Sequence, residues 1–268
     1  MKKLLVLMTL FIAVACSKTE DNQSQIENTT LLKTMVEGNQ TVNFSYNGFK
    51  LAEVTNVGAA TKQIFTYEGD LITNIKYFNT ATNKTDIIKS YTYENNKLKT
   101  FIDDEVSSDF ITKCTYTNEA DGTVSYIKNE INKTTQDEEL KSSGVLTFTN
   151  GVLTKDDTRE IKYPACTNVY SRGYVNEYDD KNSFFRNIVG LDKLYDVKNS
   201  YSKHNLLKNY EYTRTGERIG DDPNHVLTTV NDKPKTRTYS YNTSNYPTEC
   251  SFYDADGVLK RTIKYVYE

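Results

Sequence analysis

The sequence of 268 residues contains no tryptophan, only two histidines and only four prolines. The prolines lie at positions 164, 223, 234 and 247, so the first 163 residues have none. Because proline removes a backbone donor from a sheet, this absence permits an uninterrupted set of paired strands in the N-terminal half. The sequence also lacks a Cys-x-x-Cys motif, so it gives no support for a structural zinc site, and we predict neither a metal nor a cofactor.

The sequence motifs of common enzymes are absent as well. There is no Gly-x-Ser-x-Gly, no His-Glu-x-x-His, no phosphate loop and no dinucleotide fingerprint. The net charge is −3 and no run of basic residues is present. Since proteins that bind nucleic acid carry such basic patches, we do not expect a nucleic-acid partner.

Cysteine is scarce and irregularly spaced. Beyond the first 16 residues, the chain contains only Cys114, Cys166 and Cys250. In an oxidising compartment two of the three could form a disulfide, but their spacing does not select which two. The alternative is that all three are single, half-buried thiols.

The N-terminus has the features of an export signal. Lys2 and Lys3 precede a mainly apolar run from Leu4 to Ala15. This run is shorter than the roughly 20 residues that a membrane-spanning helix needs. We therefore predict that residues 1–15 are a signal peptide that is removed.

The residues Ala-Val-Ala-Cys at the end of this run resemble the lipobox of bacterial lipoproteins. The resemblance implies cleavage before Cys16, a lipid that includes palmitate on that cysteine, and anchoring in the cell envelope, at the periplasmic face of the outer membrane or at the cell surface. The alternative is an ordinary signal peptide cleaved after Ala15. Residues 16–30 are polar and lack aromatic side chains, which predicts a flexible tether, and residues 31–268 are expected to form a single β-rich domain.

Tyrosine is abundant, with 21 residues, and 11 phenylalanines accompany it. Many of these rings lie two residues apart and precede a polar turn and an aliphatic residue, as in Phe44 and Tyr46 before "NGFKL" or Tyr91 and Tyr93 before "ENNKL". Positions i and i+2 of a strand share one face, and Gly, Asn and Asp suit tight turns. The pattern predicts an all-β fold: an antiparallel meander of repeated β-hairpins, curved into a roll or a barrel-like sheet.

The strands alternate aromatic residues with Thr, Lys, Asn and Asp, and the mean hydropathy is −0.65. A barrel wall that faces lipid is apolar throughout its outer band, so we do not expect these strands to face lipid. Most of the rings are instead expected to fill the interior, where pairs of aromatic residues on neighbouring strands stabilise a sheet.

Residues 176–207 interrupt the hairpin pattern. We predict an ordered excursion there, with a short helical turn around Leu191 to Tyr195. Because long ordered loops often carry function, this excursion and the loop around residue 222 provide our candidate binding region, while we predict no catalytic residue. Its members are four residues of the excursion and two of the later loop: Asp179, Asp180, Phe184, Phe185, Asp222 and His225.

The tyrosine phrase is similar to the YD repeats of Rhs-type proteins. Together with the lipobox and the stretches "YDDKNSFF" and "SKHNL", it resembles uncharacterised lipoproteins of Bacteroidota with a porin-like fold. That resemblance implies a barrel-like meander and no known activity. We therefore expect a membrane-anchored envelope lipoprotein that binds a glycan or protein ligand or acts as a scaffold. The alternatives are a glycan-acting enzyme that uses loop carboxylates and a purely structural envelope component.

Overall fold

A computed structural model of the protein describes residues 30–160, 168–195, 201–217, 228–231 and 233–268. Cys16, the predicted lipidation site, and the signal and tether before Thr30 lie outside these residues. The strands in the described ranges are β1 (Leu32–Glu37), β2 (Gln40–Asn47), β3 (Lys50–Asn56), β4 (Thr61–Glu68), β5 (Leu71–Asn79), β6 (Lys84–Glu94), β7 (Lys97–Glu105), β8 (Phe110–Asn118), β9 (Val124–Asn132), β10 (Glu138–Thr149), β11 (Val152–Glu160), β12 (Asn168–Tyr178), β13 (Leu206–Glu217), β14 (Thr228–Asn231), β15 (Lys235–Tyr241), β16 (Pro247–Tyr253) and β17 (Leu259–Tyr267). One 3₁₀ helix, Leu191–Lys193, lies between β12 and β13.

The strands form a closed antiparallel barrel. Each strand from β1 to β13 pairs with the next, and β15, β16 and β17 pair in the same manner. The ring closes at β1, where Met35 lies opposite Val42 of β2 on one side and Tyr265 of β17 on the other. Because β14 and β15 both pair with β13, they share one position. The described strands thus fill 16 positions, which confirms the predicted hairpin meander.

The hairpin turns lie where the polar clusters predicted them. Asn95 and Asn96, between β6 and β7, both have positive φ angles, of 52° and 60°. Two successive residues with positive φ are the signature of the tight turn whose twist matches that of the flanking strands. Asparagine adopts this conformation more readily than most residues, because its short side chain can form hydrogen bonds with the local backbone.

Five of the hairpins contain the same irregularity, a β-bulge. The ladder shifts by one residue between a Ser or Thr and the following aromatic residue in five hairpins: Ser45–Tyr46, Thr66–Tyr67, Thr92–Tyr93, Thr147–Phe148 and Ser240–Tyr241. In the first of them, Ala52 of β3 is the extra residue. As a result Leu51 and Val54, three positions apart, are both buried in the interior.

The repeated tyrosines stabilise these bulges. Their hydroxyl groups donate hydrogen bonds to backbone carbonyls of a neighbouring hairpin. These bonds are Tyr93 to Ile72 at 2.7 Å, Tyr178 to Leu153 at 2.9 Å and Tyr267 to Pro247 at 2.7 Å. Each accepting residue directly precedes the extra residue of a bulge. The hydroxyl groups therefore satisfy carbonyls beside the disrupted ladder, and the repeat has a structural role.

The two faces of the barrel wall differ in chemistry. On β4, Phe65 and Tyr67 pack against the buried core, so the alternate residues Lys62, Ile64 and Thr66 face outwards. The outer wall carries ion pairs: Lys62–Glu53 at 3.3 Å, Lys113–Glu138 at 3.5 Å and Arg214–Asp157 at 3.1 Å. The aromatic residues fill the interior, as predicted for most of them, although Tyr212 lies on the outer face opposite Gly173.

The excursion between β12 and β13 folds back into the barrel. We call residues 179–195 and 201–205 the plug. Its Leu191 is 1% exposed and packs with Leu51, Ile72 and Leu98 of the wall, and its helical turn, Leu191–Lys193, confirms the turn predicted there. No helix in the described ranges has the length and apolar character to cross a membrane.

Candidate functional site

The plug reaches the wall on several sides of the barrel. Its Val189 N–H donates to the Phe49 carbonyl at 3.0 Å, in the turn between β2 and β3. Tyr195 packs edge-on against Tyr116 of β8, with ring centres 5.3 Å apart. Phe184 stacks on Tyr265 of β17 at 4.9 Å. Contacts to strands so far apart in the ring place the plug inside the lumen.

The plug enters at the end of the barrel where Leu31 meets the C-terminal residue, Glu268. The backbones of Leu31 and Glu268 form two hydrogen bonds with each other, at 3.4 and 3.0 Å. Asn187 of the plug donates to the Thr30 carbonyl at 3.0 Å and to the Tyr246 hydroxyl at 2.7 Å. The plug therefore closes the end of the barrel at which Thr30, the first described residue, lies.

Two cavities remain between the plug and the opposite end. The first, which we call the arginine cavity, has a volume of about 460 Å³. Its floor is formed by Phe184, Phe185, Leu191 and Tyr201 of the plug. The described side chains that line it are mostly aliphatic and aromatic, and the charged ones are two arginines, Arg237 and Arg261.

Strand register brings these two arginines together. Arg237 of β15, Phe252 of β16 and Arg261 of β17 lie directly opposite one another. The Phe252 ring lies between the guanidinium groups, whose carbon atoms are 4.8 and 4.3 Å from its centre. Each guanidinium group is attracted to the aromatic ring by a cation–π interaction, which offsets part of the repulsion between the two like charges. Arg261 also pairs with Glu37 at 3.4 Å.

The second cavity, which we call the tyrosine cavity, has a volume of about 390 Å³. Tyr201 lines both cavities. In the tyrosine cavity, Lys89 of β6 lies opposite Asp103 of β7, and their charged atoms are 3.9 Å apart. Its other charged lining residues in the described ranges are Lys128 and Asp156. The positive and negative charges of this cavity are therefore balanced in number.

Asp156 is a partly buried member of the lining of the tyrosine cavity. It accepts hydrogen bonds from the Tyr126 hydroxyl at 2.9 Å and the Thr158 hydroxyl at 3.1 Å. Burial raises the pKa of its carboxyl above the ordinary value, and this effect outweighs the two hydrogen bonds, which lower the pKa. A carboxyl with a raised pKa in a cavity is a common feature of functional sites, although buried structural groups also have this property.

The structure places the predicted loop residues in different surroundings. Phe184 and Phe185 line the arginine cavity. Asp179 accepts hydrogen bonds from the backbone and side chain of Asn205, from the Lys181 N–H and from the Tyr241 hydroxyl, so its carboxylate fixes the base of the plug. Asp180 is exposed and pairs with Lys181 at 3.5 Å.

Asp222 and His225 lie outside the described residues. The strand ends that flank them, Glu217 and Thr228, are at the end of the barrel away from the base of the plug, because β13 starts opposite Tyr178 and runs towards that other end. The contribution of these two loop residues to a site stays a prediction.

Sequence reasoning missed the two arginines of the lumen. A signal for them was present, because each precedes an interior residue by two positions: Arg237 precedes Tyr239, and Arg261 precedes Ile263. Period-two alternation assigns them to the inner face.

The described cysteines are free thiols. Cys114 lines the tyrosine cavity, and Cys250 is fully buried near the arginine cavity. They lie on β8 and β16, which are on different sides of the ring. Cys166 lies outside the described residues. Among those residues, no group of three or more His, Cys, Asp or Glu side chains could hold a metal ion.

No protein-family model matches the chain, and no curated protein matches it significantly. Solved structures are similar to it. A porin-like protein from Bacteroides vulgatus ATCC 8482 superposes with a TM-score of 0.56 and 14% sequence identity, over 89% of this chain and 99% of that chain. The chain shares its porin-like fold. A porin-like protein from Bacteroides uniformis ATCC 8492 gives a TM-score of 0.45 and 11% identity, over 89% of this chain and 95% of that chain.

The likeness to the Bacteroides vulgatus protein confirms the fold part of the resemblance stated above. At 14% identity it concerns the fold alone. The lipobox and the likeness to YD repeats stay predictions.

Proposed function

We propose that the protein is an envelope lipoprotein, anchored through Cys16, whose plugged barrel binds a ligand in its lumen. The observation that carries the proposal is the incomplete filling of the interior. A purely structural barrel would pack its lumen fully, whereas cavities of about 460 and 390 Å³ remain above the plug. Their volumes fall within the range of ordinary ligand pockets, about 300–1,000 Å³.

The position of the tether supports an anchored binding protein. Thr30, the first described residue, contacts the plug at the closed end of the barrel. The walls of both cavities extend towards the other end, since Arg237, Phe252 and Arg261 are near the strand ends remote from the turn at Tyr246. A lipid on Cys16 would therefore hold the closed end towards the membrane and leave the cavities facing away from it.

The outer wall supports a barrel that is surrounded by water. Ion pairs such as Lys62–Glu53 and Arg214–Asp157 lie on it, and ionised side chains at the middle of a lipid-facing wall cost about 2–4 kcal/mol each. The porin-like fold alone does not require a barrel to cross a membrane. In our proposal only the lipid enters the bilayer.

Anchoring is tested by fractionation of cells that express the wild-type chain or Cys16→Ala. We expect the wild type in the membrane fraction with incorporated labelled palmitate, and the variant without the label. Equal palmitate labelling of the two chains would contradict lipidation at Cys16.

Binding in the lumen is tested by thermal unfolding against panels of lipids, glycans and peptides. A ligand at a hundred times its Kd stabilises the folded state by about 2.7 kcal/mol. Val42→Phe narrows the arginine cavity, which Val42 lines, and Ile64→Phe makes a matched change on the outer wall. We expect at least one compound of the panels to stabilise the wild type and the Ile64→Phe variant, and to stabilise the Val42→Phe variant less. If no panel stabilises the wild type, the binding function is refuted.

A further inference from the structure

The arginine cavity combines an apolar floor with an excess of positive charge. The plug contributes Phe184, Phe185 and Leu191 to the floor. Among the described residues that line this cavity there are two arginines and no carboxylate. Glu37, which pairs with Arg261, lies beyond the described lining, and no carboxylate of the described ranges is within ion-pair distance of Arg237.

The two guanidinium groups are also held in position before any ligand arrives. Arg237 and Arg261 lie on opposite sides of the Phe252 ring, in strands that are hydrogen-bonded to the strand of that ring. A guanidinium presents several N–H donors in a fixed plane, which suits the oxygen atoms of a carboxylate or phosphate. Side chains that are already ordered lose less entropy when they bind.

We propose that the arginine cavity binds a single-chain amphiphile with an anionic head group, of which a long-chain fatty acid is the simplest example. The head group accepts hydrogen bonds from the N–H groups of Arg237 and Arg261 beside the Phe252 ring, and the hydrocarbon chain lies against Phe184 and Phe185. The inference rests on the proposed binding function and specifies the class of ligand and the cavity that holds it.

The tyrosine cavity provides the internal contrast. There Lys89 faces Asp103 across the strand pair at 3.9 Å, and Asp156 adds a second carboxyl beside Lys128. An anionic head group would meet carboxyl groups as well as lysines in this cavity. The lack of carboxylates among the described lining residues thus distinguishes the arginine cavity.

The test compares three probes of equal chain length: hexadecanoate, hexadecanol and hexadecyl phosphate. Equilibrium dialysis with the labelled probes measures their Kd values for the whole chain that follows Cys16. We expect hexadecanoate to bind at least about tenfold more tightly than hexadecanol, as for a hydrogen bond to a charged group. Hexadecyl phosphate distinguishes a fatty acid from a phosphorylated lipid as the source of the head group, and tight binding of either anion supports the proposal.

The variants separate charge from chain binding. Arg237→Gln and Arg261→Gln are each expected to raise the Kd of hexadecanoate by about tenfold and to leave the Kd of hexadecanol unchanged. Lys89→Gln, the matched change in the tyrosine cavity, is expected to leave both Kd values unchanged. Glu37→Gln removes the ion-pair partner of Arg261 and is therefore expected to lower the Kd of hexadecanoate. Urea unfolding of each variant verifies that the barrel is intact.

Two results would overturn the proposal. If hexadecanol binds as tightly as both anions and the arginine variants leave all Kd values unchanged, the cavity recognises the hydrocarbon chain and not the anionic head group. The proposed binding function would then stand. If none of the three probes binds, the ligand class is wrong. In that case the panels of glycans and peptides, with Val42→Phe as the variant, decide separately whether the lumen binds a ligand.

Discussion

The two cavities have the same plug beneath them and the same hairpin architecture around them, yet they differ in charge. In the tyrosine cavity, register places Lys89 opposite Asp103. In the arginine cavity, register places Arg237 and Arg261 on either side of an aromatic residue, Phe252. In a barrel built from repeated hairpins, strand register therefore decides whether a charged residue of the lining faces an opposite charge or an aromatic ring, although Arg261 also pairs with Glu37 outside this register.

The largest expected effect comes from removal of the floor. Leu191 lines the arginine cavity and Leu194 the tyrosine cavity, and both are buried. We expect Leu191→Ala and Leu194→Ala each to lower the free energy of unfolding by about 2–5 kcal/mol, the usual range for buried leucines. Urea unfolding measures this loss. A loss below about 1 kcal/mol in both variants would show that the plug is not part of the core.

The next effect is the difference between two glycine variants, one of them at Gly190, where the plug approaches the wall. Gly190 has a φ of 83°, and a Cβ there would lie 2.7 Å from the Asp70 carbonyl oxygen. Gly151 has a similar φ, 77°, but a Cβ there would meet nothing within 4 Å. We expect Gly151→Ala to cost about 1–2 kcal/mol for the backbone conformation alone, and Gly190→Ala to cost about 1–3 kcal/mol more.

Chemical denaturation of the two glycine variants side by side gives this difference. Equal losses of stability would mean that the plug moves away from Asp70 at no cost. In that case the floor shared by the two cavities would be adaptable and not rigid.

Asp156 and Asp157 test the charges on the two faces of the wall near the tyrosine cavity. Burial raises the pKa of Asp156, so folding favours its protonated form, and the free energy of unfolding falls as the pH rises from the unfolded-state pKa to the raised folded value. Burial alone would also raise the pKa of Asp157, but Lys155 and Arg214 outweigh it and lower the pKa. Its stabilisation is present above the unfolded-state pKa and is lost as the pH falls through the folded value.

The two Asn variants are therefore expected to change stability with opposite signs. At neutral pH, we expect the free energy of unfolding of Asp156→Asn to be higher than that of the wild type. That of Asp157→Asn is expected to be lower. Both differences shrink as the solution is acidified. Urea unfolding from acid to neutral pH measures them, and a shared sign at neutral pH would be inconsistent with the opposite pKa shifts.

The smallest expected effect is on thiol reactivity. Burial raises the pKa of Cys114 and of Cys250, so little of either thiol is the reactive thiolate. Cys114, at 8% exposure, lines the tyrosine cavity, whereas Cys250 is 0% exposed. In a Cys166→Ser background, we expect maleimide to modify native Cys114 slowly and Cys250 more slowly still. Mass spectrometry of the peptides measures both rates, and faster labelling of Cys250 would contradict the order.

Much of the fold could be predicted because its signals are local. Paired rings such as Tyr91 and Tyr93, followed by the turn at Asn95 and Asn96, identify strand, turn and strand within a few residues. The bulges were missed, although the spacing of Leu51 and Val54 carries a signal for them. Three-residue spacing resembles a helical period when it is read alone, and only the pairing with β2 shows one extra residue.

The candidate site could be predicted only in part. Phe184 and Phe185 were selected because they lie in the excursion that breaks the pattern, and they line the arginine cavity. Arg237 and Arg261 were not selected, because each is one charged residue in an alternating strand. Their importance comes from Phe252, on the strand that pairs with both.

The sequence by itself determined the hairpins, the turns and the alternation of an inner aromatic face with an outer polar one, because each depends on neighbours within one or two strands. Tertiary structure alone decided that the sheet closes between β1 and β17, that the plug enters the lumen, and that the described residues there line two cavities of unlike charge. These features depend on contacts between residues far apart in the chain, such as Asn187 with Thr30. No local pattern encodes such contacts, since they form only when the ring is complete.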